Sequence, residues 1–145
     1  MQADGRPSVV KLKSQYSRYE ERVGLGEIKP GFLLDLNASN QVIPHGGAAG
    51  ANVARRFATE ELLTYEGKTI ADVYATTALV SYREFLPGDE LQAWLASGES
   101  VAIDDKLESA GDGTLQALTT GDAVAQAIEV VDATSASKMI KVIVS

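Results

Sequence analysis

The sequence predicts a mainly β fold, a small domain of short antiparallel strands with at most two short helices. Three observations predict it. Apolar runs are only a few residues long and are separated by turn signals at regular intervals, the pattern of a barrel or sandwich. The turn signals are chemically explicit: Lys29-Pro30-Gly31, Leu86-Pro87-Gly88-Asp89, Gly111-Asp112-Gly113-Thr114 and Thr120-Gly121-Asp122. In the first two, Pro presets φ near −65° and Gly supplies positive φ. Several runs are also rich in β-branched and aromatic residues, which suit a pleated, half-buried surface.

Residues 1–26 differ in kind from the rest and are expected to form an extended N-terminal arm. Residues 1–30 hold six basic and four acidic side chains, net +2, which leaves −9 for the remainder of a chain of net charge −7. Val9-Val10-Lys11-Leu12-Lys13 and Tyr16-Ser17-Arg18-Tyr19 are too few to complete a core. Two readings stay open, a mobile tail or an arm that orders on a partner's sheet edge. Either way, removal of residues 1–25 is expected to leave a folded body.

Residues 27–145 form the expected β domain. Phe32–Leu36, Ala78–Phe85, Glu90–Leu95, Ala123–Val131 and Lys138–Val144 read as strands. In the last of these, Ile140, Val142 and Val144 share one face, and this β-branched face is expected to be the core face. Asp132–Ser137 would then join the final two strands as a hairpin loop. The abundant Ala of 123–131 suggests close packing. Ala51 to Leu63 resists assignment: its composition suits a helix, yet Val53, Arg55, Phe57 and Thr59 also alternate as a strand would. Thr69–Tyr74 is expected to form one short helical turn.

Composition narrows function by scarcity. With 145 residues the chain is one domain able to bury a core without staples. It has no cysteine and one histidine, which excludes disulfide scaffolds, thiolate chemistry and multi-His metal sites. A pI near 4.7 argues against direct nucleic-acid binding. No apolar run approaches the ~20 residues needed to span a bilayer, and the polar first residues lack a signal peptide, so the chain is expected to be made in the cytosol with no membrane partner.

Each candidate site has a plain alternative. His45, between Pro44 and Gly46-Gly47, reads as a loop residue, since no G-x-S-x-G elbow accompanies it. Asp104, Asp105, Glu108 and Asp112 would suit a hard cation, but the spacing departs from a calcium loop, and a solvated acidic hairpin is the expectation. Glu60-Glu61 are adjacent, which on a strand points them to opposite faces. Gly24-Leu25-Gly26 lacks the remainder of a dinucleotide fingerprint. Trp94 and Tyr82 read as core or interface residues. No catalytic residue, cofactor or metal is expected. Such a chain offers surface rather than reaction, as in a binding or structural module; a small ligand-binding barrel or a non-catalytic enzyme subunit is the alternative.

An ordered set of motifs resembles tailed-bacteriophage head decoration (cement) proteins of the lambda type. It comprises Ile28-Lys29-Pro30-Gly31-Phe32-Leu33-Leu34, Val42-Ile43-Pro44-His45, Phe57-Ala58-Thr59-Glu60, Gly67–Tyr74, Leu86-Pro87-Gly88-Asp89-Glu90, Asp105–Leu115 and Val124–Glu129. The resemblance spans about residues 27–144. It implies a β-tulip-like barrel, usually trimeric with dimers known, on the outer capsid surface of the virion. It further implies binding at three-fold or quasi-three-fold positions of the expanded head, which stabilises the shell against internal DNA pressure. The N-terminal arm would pair with a strand of the major capsid protein. Val9, Val10 and Leu12 would make contacts, Lys11 and Lys13 would steer, and Tyr16, Arg18 and Tyr19 would complete the capsid-binding set.

Overall fold

The computed structural model describes residues 6–14, 16–60 and 69–145. Expectations that fall on 61–68, including the Glu61 partner of Glu60, lie outside them. Thirteen strands follow in order: β1 (Lys11–Lys13), β2 (Arg18–Val23), β3 (Leu34–Leu36), β4 (Val42–Pro44), β5 (Arg56–Ala58), β6 (Leu79–Glu84) and β7 (Glu90–Leu95). Then come β8 (Glu99–Val101), β9 (Lys106–Ser109), β10 (Leu115–Ala117), β11 (Ala125–Ala127), β12 (Val131–Ala133) and β13 (Lys138–Val144). No helix occurs among the described residues.

Five strands close into a barrel in the order β7-β10-β9-β11-β13, with β13 returning to β7 over Lys138↔Leu95 through Ile143↔Glu90. The β13 alternation places Ile140, Val142 and Val144 in the barrel's apolar cluster as expected. Met139, on the opposite face, is also buried, because the Lys29-Pro30-Gly31 turn lies over it. Gly31 has φ +96, and a Cβ there would press on the Gln92 carbonyl, Trp94 and the Met139 methyl, so glycine is required. The expected terminal hairpin is interrupted. The chain leaves β11 after Ala127 and forms β12 against β8 before β13 begins.

A second, smaller core lies beside the barrel. β2, β6 and β5 form a three-stranded sheet, and β3 and β4 form a hairpin. Isolated bridges join the two: Leu33↔Phe57 at one side and Gly24↔Val42 at the other. Ile28, Leu34, Val42, Ala58, Tyr74, Val80 and Tyr82 fill the interior. Residues 56–58 of the ambiguous stretch are a strand, because Phe57 must reach the barrel cluster while Ala58 serves the smaller core. Thr69–Asp72 is a single turn, with Asp72 N–H on the Thr69 carbonyl and the Asp72 carboxylate capping Thr69.

Residues 6–14 and 16–23 lie against the body of the fold. β1 pairs with β7 through Lys11↔Leu91 and Lys13↔Glu90, and β2 pairs with β6 over its whole length. The structure thus differs from the expected free arm: the segment meets its sheet edge within its own chain.

Candidate interaction surface

The N-terminal strap is held by one apolar anchor and several polar ones. Val10 is buried in the barrel cluster. Its N–H donates to Glu60 at 2.9 Å, and its carbonyl accepts the Gln92 N–H at 2.8 Å. The buried Gln92 side chain spends both amide hydrogens on the strap, donating to the Pro7 and Val9 carbonyls at 2.8 Å each. Its Oε1 finds no partner among the described residues. Arg6 pairs with Glu129 at 2.5 Å and Lys13 with Glu90 at 3.6 Å. Val9 stays exposed, Lys11 and Leu12 are half-buried, and the Tyr19 ring lies 5.7 Å from the Arg83 guanidinium.

Strand directions give the barrel two unlike rims. β7, β10 and β11 run one way, β1, β9 and β13 the other. One rim therefore gathers the end of β11 and the turn entering β9. There Ile103 is 58% exposed and Val130 69%, and the exposed Asp104, Asp105, Lys106 and Lys138 lie at the same rim. The other rim gathers the end of β1 and the turn entering β7. There Tyr16 is 77% exposed and Leu86 47%. Lys13, Ser14, Tyr16 and Leu86–Asp89 line a shallow groove of about 320 Å³.

This groove is stapled from beneath. Asp89 Oδ2 accepts from Ser14 Oγ at 3.0 Å and from the Leu86 N–H at 2.8 Å, so one carboxylate ties the two turns. Ser14 Oγ also receives the Ser17 N–H, and Arg83 donates to Ser17 Oγ at 3.1 Å. Charge is layered here. The Lys13 and Arg18 side chains are 78% and 65% exposed, whereas their partners Glu90, Glu20 and Glu84 are 26–32% exposed. Lys13 and Arg18 thus reach further into solvent than the carboxylates they pair with.

The smaller core carries a charged lid. The Tyr82 hydroxyl donates to Glu20 at 2.7 Å and accepts from Arg22 Nε at 2.9 Å. The tyrosine hydrogen bond, backed by Arg18 and Arg22, holds the Glu20 carboxyl below its ordinary value. Burial, aided by Glu20, pushes the Tyr82 phenol up. Arg18 and Arg56 converge on Glu84 at 3.2 and 3.1 Å.

The other sequence candidates resolve into structural roles. His45 is buried rather than free in a loop, its Nδ1 2.5 Å from Ser109 Oγ. Asp105 accepts the Ala102 N–H, Asp104 accepts from Gln126, and Asp112 accepts both donors of Thr114. Asp105 and Asp112 thus close local turns, and Asp104 ties its turn to β11. Glu108 is turned inward and receives the N–H and hydroxyl of Thr119, which lower its pKa. Among the described residues no group of three His, Cys, Asp or Glu could hold a metal ion. They include no helix long and apolar enough to cross a membrane. The residues that sequence alone missed are Leu86, Pro87 and Asp89, which look like an ordinary turn until β1 brings Lys13 and Tyr16 beside them.

No family model matches the chain, and no curated protein matches it in sequence. Among solved structures, it matches the N base of the head fibre gp8.5 of bacteriophage phi29. The match has a TM-score of 0.59 at 11% identity and covers 90% of this chain and 95% of that one. That likeness is to a head-fibre base and not to a lambda-type decoration protein, and at this identity it establishes the fold: a small β-barrel shared by the two chains nearly end to end.

Proposed function

We propose that the chain is a bacteriophage head protein that decorates the outer surface of the assembled, expanded shell. It would bind the major capsid protein at three-fold or quasi-three-fold positions as a homotrimer and stabilise the shell against internal DNA pressure. The observation that carries this reading is the near full-length fold match to the base of a phage head fibre. Many modest contacts repeated over a shell act by avidity, and binding that favours the expanded lattice stabilises it by mass action. The N-terminal segment supplies the contact surface. If β1 adds a strand to a capsid-protein sheet, it must do so while paired with β7 or after leaving it.

The test is electron microscopy of heads from the encoding phage, stripped of this protein and mixed with the purified chain. Protrusions at local symmetry axes are expected. Bare heads at saturating protein would overturn the proposal.

One observation favours a second reading, a ligand-binding barrel. A cleft of about 360 Å³ lies between Trp94, Met139, Pro30, Ile70 and Val73, with the Lys29 ammonium 4.8 Å from the Trp94 ring centroid. That volume is in the range of small-molecule sites. However, the Trp94 N–H is already spent on the Pro30 carbonyl.

A further inference from the structure

We infer that His45 is a proton-operated latch: its neutral ring holds the 46–50 loop against β9, and protonation of the ring lifts that loop while the barrel stays closed. The inference does not depend on the decoration reading, since it concerns a joint inside the chain.

The joint is built around Ser109 on β9. Its hydroxyl lies 2.5 Å from His45 Nδ1, and its carbonyl accepts the Gly50 N–H at 2.8 Å, so one residue holds both ends of the loop. The His45 carbonyl in turn accepts the Gly113 N–H at 3.1 Å. The ring is buried although residues 46–49 beside it are exposed. Gly47 covers Nε2, where an added Cβ would stand 3.1 Å away.

A proton count shows why this arrangement suits the neutral ring. Ser109 Oγ already receives the Gly111 N–H at 3.1 Å. One hydrogen, carried by Nδ1 or by Oγ, then completes the contact between histidine and serine. A second proton on the ring makes both nitrogens donors. Nδ1–H takes the contact, the Ser109 hydrogen must turn out of it, and Nε2–H meets only the covering loop.

No anion compensates. The ionisable side chains on the elements packed around the ring are Asp35 on β3, Lys106 and Glu108 on β9, Asp112 in the 110–113 turn and Asp122 beside Gly50. Glu108 is adjacent to Ser109 and so faces the other way, bonded to Thr119. Asp112 is bonded to Thr114, Asp35 accepts the Leu36 N–H, and Lys106 and Asp122 are exposed. Among the described residues the ring bonds to Ser109 alone. A buried charge without an ion pair is costly, and the cost is relieved once the ring reaches water. The exposed, glycine-rich loop is the cheapest cover to move.

The chain has one histidine and no cysteine, so His45 is the one side chain whose ordinary titration falls between about pH 5 and 8. Glu20, Glu108 and Asp132 are held below their ordinary values and Tyr82 above its own, outside that window.

The experiment is an NMR titration of the wild-type chain from about pH 7.5 to about pH 5, the range of imidazole titration. It follows the single histidine ring beside amide exchange corrected for its intrinsic pH dependence. The Gly50 and Gly113 amides should lose protection about tenfold or more, with the midpoint of the ring, while β13 stays protected. His45→Gln, which can reach Ser109 but takes up no proton, should abolish the pH dependence. A ring that titrates while Gly50 and Gly113 stay protected, or that does not titrate in this range, would overturn the latch. Loss of β13 protection at the same midpoint would do so too, as would wild-type pH dependence in His45→Gln. The wild-type chain reports ring and amides together, so its titration decides the matter even if the variant does not fold.

Discussion

The barrel and the smaller core beside it reach a dry interior by different means. The barrel closes through a continuous ring of paired strands around a mainly apolar interior. The smaller core closes through two isolated bridges and a lid of hydrogen-bonded charges over Tyr82. The first depends on packing, the second on protonation states as well. A closed ring needs no charged lid because it leaves no edge. An incomplete ring must satisfy its open side with side chains.

The harshest break in this pattern is deletion of residues 1–25. It removes Val10 from the barrel cluster, bares one edge of β7 and one of β6, and strips the lid from Tyr82. The deleted chain should bind a hydrophobic dye and lose cooperative melting. A soluble truncation with wild-type melting temperature would restore a separable arm. Next in size, Leu107→Ala, buried on β9 within the barrel, should cost about 3 kcal/mol, the usual range for a cavity in a closed core. Denaturant titration should show a lower midpoint with unchanged slope. Tyr82→Phe should cost about 1–2 kcal/mol, because it keeps the ring and removes the hydroxyl that joins Glu20 to Arg22.

Titration sharpens the same contrast. The folded pKa of Glu20 is lowered from 4.5, so its contribution is present above that value and is lost as pH falls through the folded pKa. The folded pKa of Tyr82 is raised from 10.0, so its contribution is present below that value and is lost as pH rises through the folded pKa. The smaller core should therefore loosen first at both extremes, seen as earlier hydrogen exchange in β2 and β6 than in β13. The smallest effect is expected for Glu108→Gln, which should speed exchange at Thr119 and leave the global transition nearly unmoved.

Much of the barrel was legible. Ile140, Val142 and Val144 announce a core face by simple alternation, and the Leu86–Asp89 turn lies where its Pro and Gly place it. Less legible was anything set by a distant partner. His45 looked like a loop residue because its partner, Ser109, lies 64 positions away. The strand at Arg56–Ala58 competes with a helical composition and wins only because β6 and Leu33 pair with it on its two sides. The groove escaped notice for the same reason. Its two walls are separated by some seventy residues, and β1 carries one of them to the other only through its pairing with β7.

That pairing has a consequence in time. β1 leaves the ribosome long before β7, and β7 has its full-length neighbour only when β13 has emerged. The ring therefore cannot close during synthesis of the first 137 residues. Until then Val10 and the β7 edge are both uncovered, and the nascent chain is most vulnerable to pairing with a copy of itself. A chaperone, or a slow approach to high concentration, would matter most in that interval.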